Sequence, residues 1–278
     1  MVNYRLSAFA DEYADSFALQ CKALNEFGYK NIEIRGVDGK NVSTLSEDEV
    51  LLVKKTLEEY NLGVSSIGSP IGKIKLDGDM DAHLEMAERI FKTANVVGAK
   101  NVRIFSFYLP DGKSREECKE EVFSALEKLV SLAESYGVTL CHENEALIYG
   151  ESPECCLEIL EHFGGRLKCV FDMGNFVLDG YNPYDAYLKL YDYIEYFHIK
   201  DSLYAGAIVP AGKGEAQIKK ILDDYRSKND NFFITLEPHL QTFSGLNALV
   251  GKSFDNPYKY ENQQVAFKDA VQKLSELL

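Results

Sequence analysis

The feature of this sequence that most restricts its fold is a regular alternation of short apolar segments and long amphipathic segments. Eight short segments, rich in Val, Ile and Phe, have the length and composition of strands that are buried on both faces. They lie at 4–9, 31–35, 63–68, 101–107, 138–143, 168–172, 195–200 and 232–237. Consecutive centres lie roughly 30 to 35 residues apart, as in a βα unit, and eight such units close a single (β/α)8 barrel.

Residues that favour helix ends lie where this alternation requires them. Ser114 is a suitable N-cap for a helix whose first turn contains Glu117, and Gly137 is of the residue type that helix C-termini prefer. Pro153 and Pro183 each follow a polar residue, as expected at the first position of a helix. These positions predict helices between the strands.

The 278-residue chain is expected to form one domain over residues 1–278. It contains no linker, low-complexity stretch or block of like charge at which a second domain would begin. The least regular segment, 245–259, follows the eighth predicted strand, so we expect it to lie over the mouth of the barrel.

Charge and cysteine usage restrict the partners and the compartment. The formal net charge of −14 argues against a nucleic-acid partner, because phosphate contacts need clustered Lys and Arg. No apolar run approaches the roughly 18 residues of a membrane span, and the N-terminus lacks the apolar core of a signal peptide. The six cysteines, none of them in a CxxC pair, are therefore expected to be reduced thiols of a cytoplasmic protein.

Four consecutive predicted strands finish with a side chain that can bind a metal. From the fifth strand to the eighth, these residues are Glu143, Asp172, His198 and Glu237. The carboxyl ends of the strands in a (β/α)8 barrel share one face, where active sites lie. The four side chains should therefore form a ring at that face.

The charge of this ring predicts a bound cation. Three carboxylates and an imidazole crowded together repel one another unless their pKa values rise or a cation lies between them. Three oxygen donors and one nitrogen donor suit a single divalent ion, Mn²⁺, Mg²⁺, Co²⁺ or Zn²⁺. The alternative is that each acid is a strand-end residue paired with a Lys or Arg, but the occurrence of all four on successive strands favours the metal.

Six short motifs lie in order along the chain: IEIR at 32–35, LCHENE at 140–145, FDMGN at 171–175, HIKD at 198–201, PAGKGE at 210–215 and LEPH at 236–239. Together they resemble the xylose isomerase-like TIM barrels, the sugar-phosphate isomerase/epimerase superfamily, over essentially the whole chain. The resemblance implies one divalent metal held by Glu143, Asp172, His198 and Glu237. It also implies that Glu143 and Glu237 form the acid/base pair.

The chemistry implied by the resemblance is isomerisation or epimerisation of a small sugar or sugar phosphate. Such a reaction removes a proton from a carbon next to a carbonyl, which is normally a very weak acid. A metal can stabilise the enediolate as charge develops, and a carboxylate on each face can take a proton from one side and return it on the other.

Two positions differ from the family pattern. Asn175 stands where family members often carry His, and we expect it to hydrogen-bond a substrate hydroxyl without titrating. Glu145 stands where the family often has the His of a Glu-Asn-His sequence, and it is a second candidate for substrate binding. These differences leave two alternatives open: a metal-dependent dehydratase of a keto-polyol such as an inosose, and a catalytically silent sugar-binding barrel.

Two branches of the superfamily do not fit the sequence. Endonuclease IV needs three metals and a His-rich site, whereas this chain has five His and a charge of −14 that would repel DNA. A two-metal xylose isomerase would need more acidic ligands at the barrel rim than the sequence supplies.

Four further side chains are candidates for substrate contact. Lys200 and His239 each follow a ring residue by two positions, so both should point toward the mouth. Lys73 lies in a glycine turn after the third strand, and Arg35 ends the second strand. Each cation would bind a substrate phosphate or carboxylate, or else serve as a counter-ion to the acids. Phosphorylation of the substrate and homo-oligomerisation of the chain are left open.

Overall fold

The computed structural model describes residues 4–241 and 257–278. Eight parallel strands form a nearly closed barrel with helices between them, so the predicted (β/α)8 architecture is confirmed. The strands are β1 (Tyr4–Ala8), β2 (Asn31–Ile34), β3 (Gly63–Gly68), β4 (Asn101–Ile104), β5 (Thr139–Glu143), β6 (Leu167–Asp172), β7 (Ile194–Ile199) and β8 (Phe232–Leu236).

The strands follow one another around the barrel in the order β1, β8, β7, β6, β5, β4, β3, β2. β1 and β2 lie side by side at the seam, where the Asn31 side chain donates a hydrogen bond to the Leu6 carbonyl (3.2 Å). Asp172 on β6 is in register with His198 on β7, which in turn is in register with Thr235 on β8. This register brings the ends of neighbouring strands to one level.

Helices connect the strands and cover the outside of the barrel. Ser114 and Glu117 form a capping box at the start of one helix, and Pro153 and Pro183 begin two others, as predicted. The α-helices of the described residues are α1 (Phe17–Glu26), α2 (Glu47–Glu59), α3 (Met80–Val97), α4 (Arg115–Ser135), α5 (Pro153–Phe163), α6 (Met173–Leu178), α7 (Pro183–Leu190), α8 (Ile218–Arg226) and α9 (Gln263–Leu277).

Apolar side chains pack on both sides of the barrel wall. The larger core lies between the strands and the helices. Inside the barrel, a smaller cluster consists of Cys141, Val170, Tyr196 and Phe233. The first three of these lie two residues before a member of the predicted ring. Because side chains alternate along a strand, the ring lies directly above this apolar cluster.

The fourth strand is shorter than predicted, because it ends at Ile104 and not at Phe107. The Phe105 N–H donates to the Ile71 carbonyl (2.8 Å) instead of to a neighbouring strand. The Phe107 N–H likewise donates to the Gly72 carbonyl (3.0 Å). Phe107 also has a φ of 67°, in the left-handed region that a strand does not adopt.

Three other expectations concern the cysteines, membrane-spanning helices and the segment 245–259. All six cysteines are free thiols, as predicted. None of the described helices has the length and apolar composition needed to cross a bilayer. The segment 245–259 lies outside the described residues apart from its last three positions, and its place over the mouth stays a prediction.

Candidate metal centre

The four predicted ring residues come together at the carboxyl ends of four neighbouring strands. Glu143 and Asp172 are the last residues of β5 and β6. His198 is the penultimate residue of β7, and Glu237 directly follows β8. Each is at most 2% exposed. One candidate ligand atom of each residue lies within 4.8 Å of those of the other three, so the four residues can share one ion.

His198 lies between carboxylates on both of its ring nitrogens. Nδ1 is 2.8 Å from Glu143 Oε1 and 3.2 Å from Glu237 Oε2. Nε2 is 3.1 Å from Oε2 of Glu33, a buried residue of β2. Burial lowers the pKa of His198, but the three carboxylates outweigh burial and raise this pKa well above its usual value.

Two buried arginines hold the glutamates of the ring. Arg103 Nη1 donates to Glu143 Oε2 (2.5 Å), and Arg35 Nη1 donates to Glu237 Oε1 (2.7 Å). Each glutamate therefore has one oxygen bound to an arginine and the other facing His198. Burial raises the pKa of Glu143, but the charges of His198 and Arg103 outweigh burial and keep this pKa below its usual value.

The Phe9 ring contacts both arginines and the imidazole. Its centroid is 4.2 Å from Arg35 Cζ and 5.6 Å from Arg103 Cζ, within the range of cation–π attraction. The ring meets His198 edge-on, with 5.1 Å between centroids. A Cβ on Gly68 would lie 2.4 Å from Phe9 Cε1, so glycine leaves the space that this ring fills.

Lys200 lies among the carboxylates of the ring. Its Nζ donates to Asp172 Oδ2 (2.9 Å) and Asn175 Oδ1 (3.1 Å), and it is 3.5 Å from Glu237 Oε2. Burial raises the pKa of Asp172 to about 7, although Lys200 opposes this change. Burial also raises the pKa of Glu237, but Lys200 and His198 outweigh burial and keep it well below its usual value.

Both polar side-chain atoms of Asn175 have partners within the protein. Oδ1 accepts from Lys200, and Nδ2 donates to the Asn144 carbonyl (2.9 Å). The backbone N–H of Asn175 donates to Asp172 Oδ1 (2.9 Å). Asn175 therefore helps to position Lys200 and Asp172, and its contact with a substrate hydroxyl stays a prediction.

A second group of titratable residues adjoins the ring around Arg35. Arg35 donates to both carboxylate oxygens of Asp11 (2.8 and 3.0 Å) and to Glu12 Oε1 (3.2 Å). His239 Nε2 lies 3.4 Å from Glu12 Oε1 and 3.4 Å from Glu237 Oε1. Burial raises the pKa of Glu12 to about 8 and lowers that of His239 to about 3. Arg35 is thus a counter-ion of these acids, and its contact with a substrate stays a prediction.

Lys73 and Glu145 form a separate ion pair. Lys73 Nζ is 3.0 Å from Glu145 Oε2, and it lies 4.4 Å from the centroid of the Phe105 ring. The two side chains are 7% and 18% exposed, so the pair is less deeply buried than the ring. Their predicted contacts with substrate stay predictions, as does that of His239.

The network contains more acids than permanent cations, which favours the binding of a cation. The linked ion pairs of the described residues contain three permanent cations and six carboxylates: Arg35, Arg103 and Lys200; Asp11, Glu12, Glu33, Glu143, Asp172 and Glu237. The carboxylates outnumber the permanent cations by three, and a His198 that binds a metal is neutral, so a cation would offset part of this excess of acids. The donor set therefore fits a divalent metal, and the excess of acids favours a cation.

The sequence patterns do not identify four members of this network as functional: Asp11, Glu12, Glu33 and Arg103. Two of these, Glu33 and Arg103, nevertheless leave a signal in the sequence. Each lies inside a predicted strand and is almost completely buried. The signal for both is a charged residue within an apolar strand that is buried on both faces, because such a charge needs a buried partner. The identity of that partner depends on the register of strands that are distant in sequence.

Comparison with known proteins gives the family. A profile described as xylose isomerase-like TIM barrel matches residues 21–256, which is most of the chain. The chain belongs to the xylose isomerase-like TIM barrel family. No curated protein sequence matches this xylose isomerase-like barrel significantly.

Solved structures share the fold of this xylose isomerase-like barrel over nearly its whole length. The probable 3-DHS dehydratase AsbF from Bacillus anthracis is 19% identical, with 98% of each chain covered and a TM-score of 0.74. D-allulose 3-epimerase from Methylomonas sp. is 15% identical, with 99% of this chain and 98% of its own covered and a TM-score of 0.74. A xylose isomerase-like protein from Mycobacterium smegmatis in complex with magnesium is 16% identical, with 99% and 97% covered and a TM-score of 0.68. At these identities the likeness establishes the shared fold.

Proposed function

We propose that this protein is a divalent-metal-dependent isomerase or epimerase of a small sugar or sugar derivative. The observation that carries the proposal is the ring of Glu143, Asp172, His198 and Glu237. Its ligand atoms lie within 4.8 Å of one another at the barrel face where active sites form. The D-allulose 3-epimerase with the same fold supports the substrate class.

The reaction class follows from what two glutamates and a cation can do together. Removal of a proton next to a carbonyl develops negative charge on the carbonyl oxygen, and a divalent ion held by the ring would supply the positive charge that stabilises the enediolate. Glu143 and Glu237 lie at the two ends of the row of four strands. A substrate above the ring therefore has a carboxylate on each side.

The two glutamates carry the proton. One carboxylate takes the proton from the carbon next to the carbonyl, and the electron pair of the broken C–H bond passes into the enediolate. Return of a proton to the opposite face of that carbon by the other carboxylate is epimerisation. Return to the former carbonyl carbon, with a proton passing between the two oxygens, is isomerisation. Arg103 and Arg35 hold the glutamates in the ionised form that accepts a proton.

Lys200 is placed to assist this chemistry. Its ammonium lies beside Asp172 and Glu237 and faces the same space as the ring donors. It would donate a hydrogen bond to an enediolate oxygen as negative charge develops there. The other proposed substrate contacts are Arg35, Lys73, Glu145, Asn175 and His239.

Exchange of substrate hydrogen with solvent deuterium tests the proposal. The metal-loaded protein is incubated in D₂O with aldoses, ketoses and their phosphates, and carbon-bound deuterium is followed by NMR and mass spectrometry. We expect deuterium on a carbon next to the carbonyl, and we expect chelation of the metal or Glu143→Gln to abolish the exchange. Glu134→Gln is the control, because Glu134 pairs with Arg166 on the outer surface, and it should retain exchange.

Three results would contradict this proposal. A product lighter by one water molecule would assign dehydration to the site. Binding of a sugar with neither exchange nor product would make the barrel a silent binder. Full exchange in Glu143→Gln would remove Glu143 from the proton transfer.

A further inference from the structure

Glu33 is a buried acid that the proposed proton transfers do not use. It lies on β2 and is 1% exposed. Its Oε1 accepts a hydrogen bond from the Tyr196 hydroxyl (2.9 Å), and Ser66 Oγ lies 2.9 Å from the same hydroxyl. Its Oε2 is 3.1 Å from His198 Nε2. The Tyr196 hydroxyl, which also contacts Ser66, therefore holds Glu33 against the imidazole.

The Glu33 contact determines which nitrogen of His198 faces the ring. Nε2 faces Glu33, whereas Nδ1 lies 2.8 Å from Glu143 Oε1 and 3.2 Å from Glu237 Oε2. A neutral imidazole has one N–H and one lone pair. A cation among the ring carboxylates would exclude a proton from Nδ1, so the N–H would be on Nε2, where Glu33 accepts it. The lone pair is then on Nδ1, the nitrogen beside the other candidate ligands.

We propose that Glu33 is the positioning residue of the metal centre, which accepts the Nε2–H of His198 and so presents Nδ1 to a divalent ion. This inference rests on the metal site of the proposed function. A metal-binding His generally donates its other N–H to a carboxylate or carbonyl, and loss of that partner lowers metal affinity by about 10- to 100-fold.

Two variants separate orientation of the imidazole from the charge of Glu33. Glu33→Gln keeps a hydrogen-bond acceptor and removes the charge, whereas Glu33→Leu removes both at a similar volume. If Glu33 acts by orienting His198, the Gln variant keeps most of the metal affinity and the Leu variant does not. If Glu33 acts only by its charge, the two variants lose the same affinity.

Cadmium binding followed by NMR tests the assignment. Protein labelled with ¹⁵N-His is loaded with ¹¹³Cd²⁺, whose coupling to a bound nitrogen identifies the ligand atom, and five His give few signals. In the wild type we expect coupling to Nδ1 of His198 and a proton on Nε2. Affinity for Cd²⁺ should fall by about tenfold or less in Glu33→Gln and by about 100-fold in Glu33→Leu.

The control is Glu158→Leu on α5, because Glu158 also accepts a tyrosine hydroxyl, that of Tyr149 (2.6 Å), but lies outside the network. It should leave the Cd²⁺ affinity and the His198 signals unchanged. Coupling of ¹¹³Cd to Nε2 in the wild type, or equal affinity of wild type and Glu33→Leu, would overturn the positioning role and leave the metal site standing. The wild-type coupling is decisive even if Glu33→Leu does not fold.

The outcome of this experiment is separable from that of the proposed reaction. A wild-type protein that binds none of Cd²⁺, Mn²⁺ and Zn²⁺ would overturn the metal centre and the role of Glu33 together. Coupling to Nδ1 with the expected loss in the variants, but no deuterium exchange on any sugar, would support the role of Glu33 and overturn the proposed reaction.

Discussion

Replacement of Lys200 by Met tests whether the ring needs an internal cation before any metal binds. Met keeps much of the aliphatic stem and removes the charge. Lys200 Nζ is 2.9 Å from Asp172 Oδ2 and 3.5 Å from Glu237 Oε2, and the residue is 4% exposed. The substitution therefore leaves two buried carboxylates beside an uncharged side chain.

The size of the effect follows from the distance between Lys200 and Asp172. Unit charges at this separation attract by about 6 kcal/mol at an effective dielectric constant of about 20. Desolvation offsets part of this attraction, and removal of one partner of a buried ion pair generally costs about 3–5 kcal/mol. We expect a loss of this size in the free energy of unfolding of metal-free Lys200→Met. The affinity for a divalent metal should rise by about tenfold or more, because the ring becomes more negative.

Urea unfolding in the presence of a chelator measures the first effect, and calorimetric titration with Mn²⁺ or Zn²⁺ measures the second. Lys219→Met is the matched control. Lys219 Nζ is also 2.9 Å from a carboxylate, that of Asp223, but this pair is exposed on α8. Its loss should change the free energy of unfolding by less than about 1 kcal/mol. Wild-type stability and unchanged metal affinity in Lys200→Met would refute the view that Lys200 is a counter-ion of the ring.

Two further variants test neighbouring parts of the network. Burial raises the pKa of Glu12 from 4.5 to about 8, so between these values the folded protein binds a proton that the unfolded chain does not, and the free energy of unfolding falls as pH rises. The Gln of Glu12→Gln cannot ionise. Between pH 5 and pH 8, the free energy of unfolding of this variant, measured in urea, should therefore rise relative to that of the wild type by up to about 1.4 kcal/mol per pH unit. A difference in free energy that does not depend on pH would contradict this. Asn175→Ala removes the acceptor of Lys200 and the donor to Asn144, so the metal-free protein should lose about 1–3 kcal/mol of unfolding free energy. Wild-type stability with only a raised KM would instead make Asn175 a substrate contact.

The barrel could be predicted because its strands and helices leave local signals. A parallel strand buried on both faces is apolar along its whole length, and residues such as Ser114 and Pro153 mark where helices begin. The end of β4 could not be predicted in the same way. The side chains of Phe105 and Phe107 are apolar, as in a strand, but their backbone N–H groups donate to a turn that is distant in sequence.

The four candidate ligands could be predicted because the place of a residue along its strand determines its place in the barrel. A polar residue at the end of a strand is visible in the sequence, and the barrel brings all such ends to one face. The partners of the counter-ions could not be predicted in this way. Arg103 reaches Glu143 because it is in register with Cys141, two residues earlier on the neighbouring strand, and the register is not readable from the sequence. The role of Lys200 likewise depends on its distances to Asp172 and Glu237.

The metal content of the purified protein tests the proposed centre most directly. Wild type, Asp172→Asn and the control Asp223→Asn are incubated with Mn²⁺ or Zn²⁺, freed of unbound ion and measured by elemental analysis. We expect one ion per chain in the wild type and in the exposed-surface control, and a large loss in Asp172→Asn because one of four donors is weakened. A wild-type protein that retains no stoichiometric metal, and whose melting temperature does not respond to either ion, would contradict the assignment of Glu143, Asp172, His198 and Glu237 as a metal centre.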